Sequence, residues 1–168
     1  MIKRILLVLL GAFAVAQFFR PDRTTQTIDP AQDMLTVTAA PADVRELIIG
    51  ACYDCHSYAT QYPWYVHVTP VNFIMQNHIE EGREVLNFSQ WGRYSGSEAA
   101  GECGETIQEG EMPPGYYRFM HAHGKLSTDQ QQRLMTWFSG LGAGKGEGTD
   151  QAVQAGVTPE DEEEEDEE

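Results

Sequence analysis

Two thiols and an imidazole stand together in one short string, Cys52-Tyr53-Asp54-Cys55-His56. At this spacing two cysteines can add to the two vinyl groups of a haem while the next histidine swings under the iron as its proximal ligand. The same two cysteines could instead close a local disulfide, supply half of a zinc site or act as a redox dithiol. A zinc site needs two more ligands at close spacing, and the third cysteine, Cys103, lies alone on an apolar helical face, where it reads as a small buried hydrophobe. A redox dithiol expects a βαβ context, and the sequence offers no convincing strand. Neither explains His56. Covalent haem is therefore the leading expectation, with the local disulfide as the bland alternative.

A six-coordinate haem needs a second axial ligand, and the candidates are Met112, His78, His121, His67, His123, Met75 and Met120. Met112 stands in Gly110-Glu111-Met112-Pro113, between two helical patterns, where proline restrains the chain and lets a thioether be aimed at a point. An average methionine only fills a gap in a core, and that setting tips the balance toward ligation. His78 is the rival distal ligand, because a histidine on an apolar helical stripe must satisfy its ring nitrogens by a core hydrogen bond, a haem propionate or the iron. His121 and His123 follow an aromatic cluster and rank lower, and His67 is expected at the surface. Trp64, Tyr65, Phe88, Trp91, Tyr116 and Tyr117 are numerous enough to wall a porphyrin, or simply to fill a core. Arg83 and Arg93 could pair with propionates, or with Glu80 and Glu84 at the surface.

The elements that must hold these residues read as helices. Val44, Leu47 and Ile48 share one face after Pro41, with Asp43 in the favourable first turn, so a short helix delivers Cys52. Tyr58 to Tyr65, with three Tyr, a Trp and Pro63, suits an apolar loop. Thr69-Pro70 reads as an N-cap and first helical residue, followed by the stripe Val71, Ile74, Met75, His78, Ile79, Gly82, Val85 and Leu86. Ser97 opens a weaker helix with Ala100, Cys103 and Ile107 on one face and Gly110 as its C′ residue. Ser127 to Gln130 has capping-box spacing, and Leu134, Trp137, Phe138 and Leu141 form the core face of the last helix.

Length and charge bound the rest. The 168 residues suit one small domain with appendages and exclude a large multidomain enzyme. The net charge is −15, and nine of the 26 acids lie in the terminal run Glu160 to Glu168. With no basic patch, nucleic acid is excluded as a partner, while a basic redox protein is compatible. Lys3 and Arg4 precede fifteen uncharged residues, Ile5 to Phe19, which reads as an export signal or an anchor to the cytoplasmic membrane. The expected organisation is a signal or anchor over 1–19, a linker over 20–40, a haem-binding domain over 41–141 and an acidic tail over 142–168. Such a tail is expected to be solvated, with steering of a basic partner as the sharper alternative.

The chain resembles the small exported haem-binding domain family of bacteria, itself similar to class I c-type cytochromes. The resemblance rests on Ala51-Cys52-Tyr53-Asp54-Cys55-His56-Ser57, Tyr62-Pro63-Trp64-Tyr65, Glu81-Gly82-Arg83, Leu86-Asn87-Phe88-Ser89-x-Trp91, and Gly110-Glu111-Met112-Pro113-Pro114 with Tyr117 and His121. It implies an all-α, cytochrome c-like fold around one covalently attached haem c. Carried over, Cys52 and Cys55 are thioether sites, His56 the proximal and Met112 the distal iron ligand, with His78 the alternative. Gln17-Phe18 and Arg20-Pro21 match the way family members begin, which implies an anchor more than a cleaved signal. The segment from Tyr58 to Trp91 exceeds a minimal cytochrome c, and the acidic tail lies outside the shared pattern.

The expected function is a monohaem c-type cytochrome carrying single electrons in the periplasm, not an enzyme. A haem-based sensor or peroxidase-like protein with an open distal site, using His78 or His121 as donor, is the alternative. A haem-free interaction module with a Cys52–Cys55 disulfide and a cation-binding tail is the third.

Overall fold

The computed structural model describes residues 1–143, and among these no strand occurs. The expectation of an all-α fold is met. The helices are α1 (Ile2–Ala16), α2 (Met34–Val37), α3 (Ala42–Ala51), α4 (Tyr53–His56), α5 (Val71–Val85), α6 (Trp91–Tyr94), α7 (Glu98–Gly101), α8 (Cys103–Gln108), α9 (Gly115–Met120) and α10 (Thr128–Ala143). Single 3₁₀ turns occur at Trp64–His67, Phe88–Gln90 and Ala122–Gly124.

The core follows from the apolar spacing of α3 and α10. Val44 and Ile48 lie one turn apart on α3 and are fully buried. α10 packs across α3 and α8 and buries Leu134 and Phe138. Its start carries the expected capping box: Ser127 N–H donates to Gln130 Oε1 at 2.8 Å and Gln130 N–H to Ser127 Oγ at 3.3 Å. Ala100, Cys103 and Ile107 are all buried, although Glu102 separates α7 from α8 where one helix was expected.

Three further expectations differ from the structure. The end of the linker predicted over 20–40 is packed instead: Met34 and Leu35 are fully buried, and Asp33 accepts a 2.7 Å hydrogen bond from the Tyr53 hydroxyl. Composition suggested a solvated segment, but two large apolar residues at its end offset the ordering entropy of a short turn. Upstream, Arg20 and Arg23 donate to the carbonyls of His67 and Val66, and the Arg23 guanidinium lies 4.5 Å from the Tyr62 ring centre.

The second difference concerns α5. Its N-cap is Pro70, not Thr69. Its buried residues are Asn72, Gln76 and Ile79, while Ile74 and Val85 of the apolar stripe are exposed. Asn72 Nδ2 reaches Thr69 Oγ1 at 2.8 Å and Phe19 O at 3.3 Å, and Gln76 Oε1 accepts from the Tyr62 hydroxyl at 2.9 Å. Buried amides with partners are tolerated, so the polar face packs. The stripe positions His78, Gly82 and Val85 turn to a cavity instead.

The third concerns the membrane. α1 buries none of its residues, and no helix among the described residues is long and apolar enough to cross a membrane. Fifteen helical residues rise roughly 22 Å against a hydrocarbon core of ~30 Å. A spanning anchor therefore gains no support. Gln17 instead pins the segment after α1 to Thr69, through N–H donation from Thr69 at 2.9 Å and to its carbonyl at 3.2 Å. The acidic tail lies outside the described residues.

Candidate functional site

The Cys52-Tyr53-Asp54-Cys55-His56 string begins where α3 ends. Cys52 N–H donates to Ile48 O at 2.9 Å, and the Cys55 and His56 amides both donate to Cys52 O, at 3.2 and 3.0 Å. The resulting turn, α4, places residues 52 and 55 at i and i+3, a spacing that shares a helical face. All three cysteines are free thiols. Burial pushes the Cys52 thiol up to about 12 and the Cys55 thiol to about 11. A redox dithiol works through a lowered thiol pKa, so this pair is poorly suited to that chemistry.

His56 is oriented by the backbone after α5. Its Nδ1 lies 2.9 Å from Leu86 O, so the carbonyl accepts a hydrogen bond from Nδ1–H and Nε2 keeps its lone pair. Burial lowers its pKa, more than the hydrogen bonds to Leu86 and Gly82 raise it, which favours the uncharged ring a metal needs. Gly82 leaves room beside it: a Cβ there would stand a tight 3.2 Å from Cys55 O and 3.6 Å from His56 Cε1. A larger residue would press on the turn that holds Cys55.

Met112 is placed by the end of α8. Gly110 has φ +76°, and the amides of Gly110 and Glu111 donate to Ile107 O and Thr106 O, at 3.1 and 3.0 Å. That is a Schellman stop, which an L side chain at 110 would strain. The Met112 amide also donates to Thr106 O, at 3.1 Å.

These pieces meet at one cavity of about 360 Å³. Cys52, Cys55, His56, His78 and Met112, all singled out from the sequence, line it together. Its apolar walls include Leu86, Phe88, Ile107 and Phe138. Of the six aromatics expected there, Phe88, Tyr116 and Tyr117 contribute, whereas Trp64 is exposed and Trp91 sits in the core. His67 is exposed, and His67, His121, His123, Met75 and Met120 do not line the cavity. Arg83 and Arg93 do not line it either: Arg83 donates to Ser57 O and Thr60 Oγ1, both at 2.9 Å, and Arg93 lies over Tyr94. Cys103, read as core, also forms part of the wall.

Sequence reasoning missed the clasp around the Cys52–His56 turn. The buried Tyr117 hydroxyl donates to Asp54 Oδ2 at 2.8 Å, and His123 Nε2 lies 3.1 Å from the same hydroxyl. Asp54 Oδ1 accepts from Gln61 N–H at 2.8 Å. His121 stacks on Tyr117 with ring centres 4.2 Å apart and meets the Tyr65 hydroxyl at 3.0 Å. Asp54, lying between the two cysteines, was the available signal. The clasp ties that turn to α9, just beyond the Met112 loop. Gly124 makes room for it, since a Cβ there would sit 2.6 Å from Tyr117 Cε1. Gly124→Ala is expected to cost about 1–3 kcal/mol through overpacking. Urea unfolding checks this, and an unchanged midpoint would refute it.

The residues present fit a haem: two thiols, an imidazole with its lone pair held free, a methionine thioether and apolar walls share one space. Among the described residues no three His, Cys, Asp or Glu side chains converge as an alternative metal site. A family model described as a haem-binding domain matches residues 11–140. No curated protein and no solved structure matches the chain.

Proposed function

The chain belongs to the haem-binding domain family, and from that premise we propose that it is a monohaem c-type cytochrome carrying single electrons on the periplasmic side of the cytoplasmic membrane. The observation that carries this reading is the shared cavity, where Cys52 and Cys55 accompany an imidazole whose Nδ1 is tied to Leu86 O and whose Nε2 is left for a metal. In this proposal Cys52 and Cys55 hold haem c by thioether bonds, His56 is the proximal ligand and Met112 the distal one. When bound, the haem supplies a one-electron iron couple, and methionine–histidine ligation raises its potential.

The protein's own residues then have defined tasks. Leu86 O fixes the plane and tautomer of His56. Phe88, Ile107 and Phe138 keep water from the cofactor, which favours the less charged reduced state. Glu81 and Glu102 line the cavity and are exposed, with Glu109 and Glu111 exposed near Met112. This acidic surface suits a basic redox protein. Lys3, Arg4 and the apolar run to Phe19 support export into the compartment where haem is attached.

The test is an absorption spectrum of protein matured in a c-type-competent periplasm, recorded oxidised, reduced, and reduced under carbon monoxide. A covalent low-spin haem is expected, indifferent to carbon monoxide and showing a sulfur-to-iron charge-transfer band when oxidised. A high-spin haem that binds carbon monoxide readily would replace the electron carrier with the sensor or peroxidase reading.

A further inference from the structure

Two histidines line the same cavity, and their ring nitrogens are partnered in opposite ways. His56 donates a hydrogen bond from Nδ1–H to Leu86 O at 2.9 Å, which leaves Nε2 bare as a metal ligand requires. His78, one turn before Gly82 on α5, has a buried Nδ1 with no hydrogen-bond partner. Its ring lies against Tyr116, with centres 5.2 Å apart and planes 33° apart. A proton on Nδ1 would be a buried donor without an acceptor, so the favourable tautomer carries it on Nε2. His78 thus presents an N–H, where an iron ligand would present a lone pair.

A haem whose four ring nitrogens hold iron has one kind of polar group left, its two propionate carboxylates. Among the described residues no Lys or Arg lines the cavity, whereas Glu81 and Glu102 do. A dianionic cofactor entering such a space needs a donor, and an N–H covered by that cofactor needs an acceptor. We infer that His78 donates its Nε2–H to a haem propionate and so positions the cofactor without binding its iron. This rests on the haem reading above and deepens it.

The test uses full-length, matured protein and compares wild type with His78→Gln and His78→Ala. Both variants should stay low-spin and indifferent to carbon monoxide. His78→Ala should lower the midpoint potential, because a carboxylate without its donor stabilises ferric iron. The expected shift is up to about tenfold in the oxidised-to-reduced ratio at fixed potential, equivalent to about 59 mV for one electron. His78→Gln retains an N–H donor and should restore most of that shift. High-spin, carbon monoxide-binding iron in both variants would overturn the inference and make His78 the ligand. An unchanged potential in His78→Ala would also overturn it. Wild-type protein offers a check that depends on no variant: the propionate bending modes in its resonance Raman spectrum should be those of a hydrogen-bonded carboxylate, and modes of two free carboxylates would count against the assignment. Absence of covalent haem from wild type would instead defeat the cytochrome reading itself.

Discussion

A Cys52→Ala, Cys55→Ala double variant, matured beside wild type in a c-type-competent periplasm, is expected to carry essentially no covalently bound haem. In each wild-type attachment one carbon–sulfur bond would form between a thiol and a vinyl carbon, with the thiol proton going to the neighbouring carbon. No net oxidation or reduction accompanies that addition. Both thiols line the cavity, where burial disfavours their thiolate forms. Single variants should retain haem through one bond, with a spectrum intermediate between a dialkylated and a free vinyl macrocycle. The double variant should also melt at least about 10 °C lower, since a few kcal/mol of lost cofactor contact shifts a domain of this size by roughly 4 °C each. The measurement is haem staining after denaturing electrophoresis together with a thermal scan. Haem that survives denaturation in the double variant would end the thioether assignment.

Met112→Ala is expected to remove the charge-transfer band and lower the potential by on the order of 0.1 V, a modest part of the roughly 0.8 V range that axial ligands span. The Schellman stop at Gly110 and the Met112 amide bond to Thr106 O place this side chain by backbone contacts alone. Alanine should therefore keep the loop and delete only the sulfur. Met75→Ala and Met120→Ala serve as controls, because neither side chain lines the cavity. A low-spin spectrum with unchanged potential in Met112→Ala would remove Met112 from the iron. Read beside the His78 variants, that result would show which of the two candidates meets the metal.

Legibility in the sequence followed the range of the interactions involved. The helix before Cys52, the capping box at Ser127 and Gln130, and Gly110 as a helix stop all depend on residues within one turn of each other. Such local geometry is written in spacing, and the structure reproduces it. The buried face of α5 was misjudged for the opposite reason. Asn72 and Gln76 are buried because Thr69, Phe19 and Tyr62 supply their hydrogen bonds, and pattern alone does not reveal partners up to 53 residues away. Residues 33–40 join the core on similar grounds, through Tyr53 and Asp33, 20 residues apart.

By itself the sequence determined the helical class and the chemical repertoire: two thiols and an imidazole at fixed spacing, and a methionine held before a proline. Covalent spacing decides what one short segment can do, because three or four residues set the directions of its side chains. Only the tertiary structure decided how those groups are wired. It gave His56 a carbonyl and left His78 without one, it locked Asp54 to Tyr117, and it moved Arg83 away from the cavity. A buried polar atom takes its role from the partner it finds, and here the partners come from segments that only packing brings together.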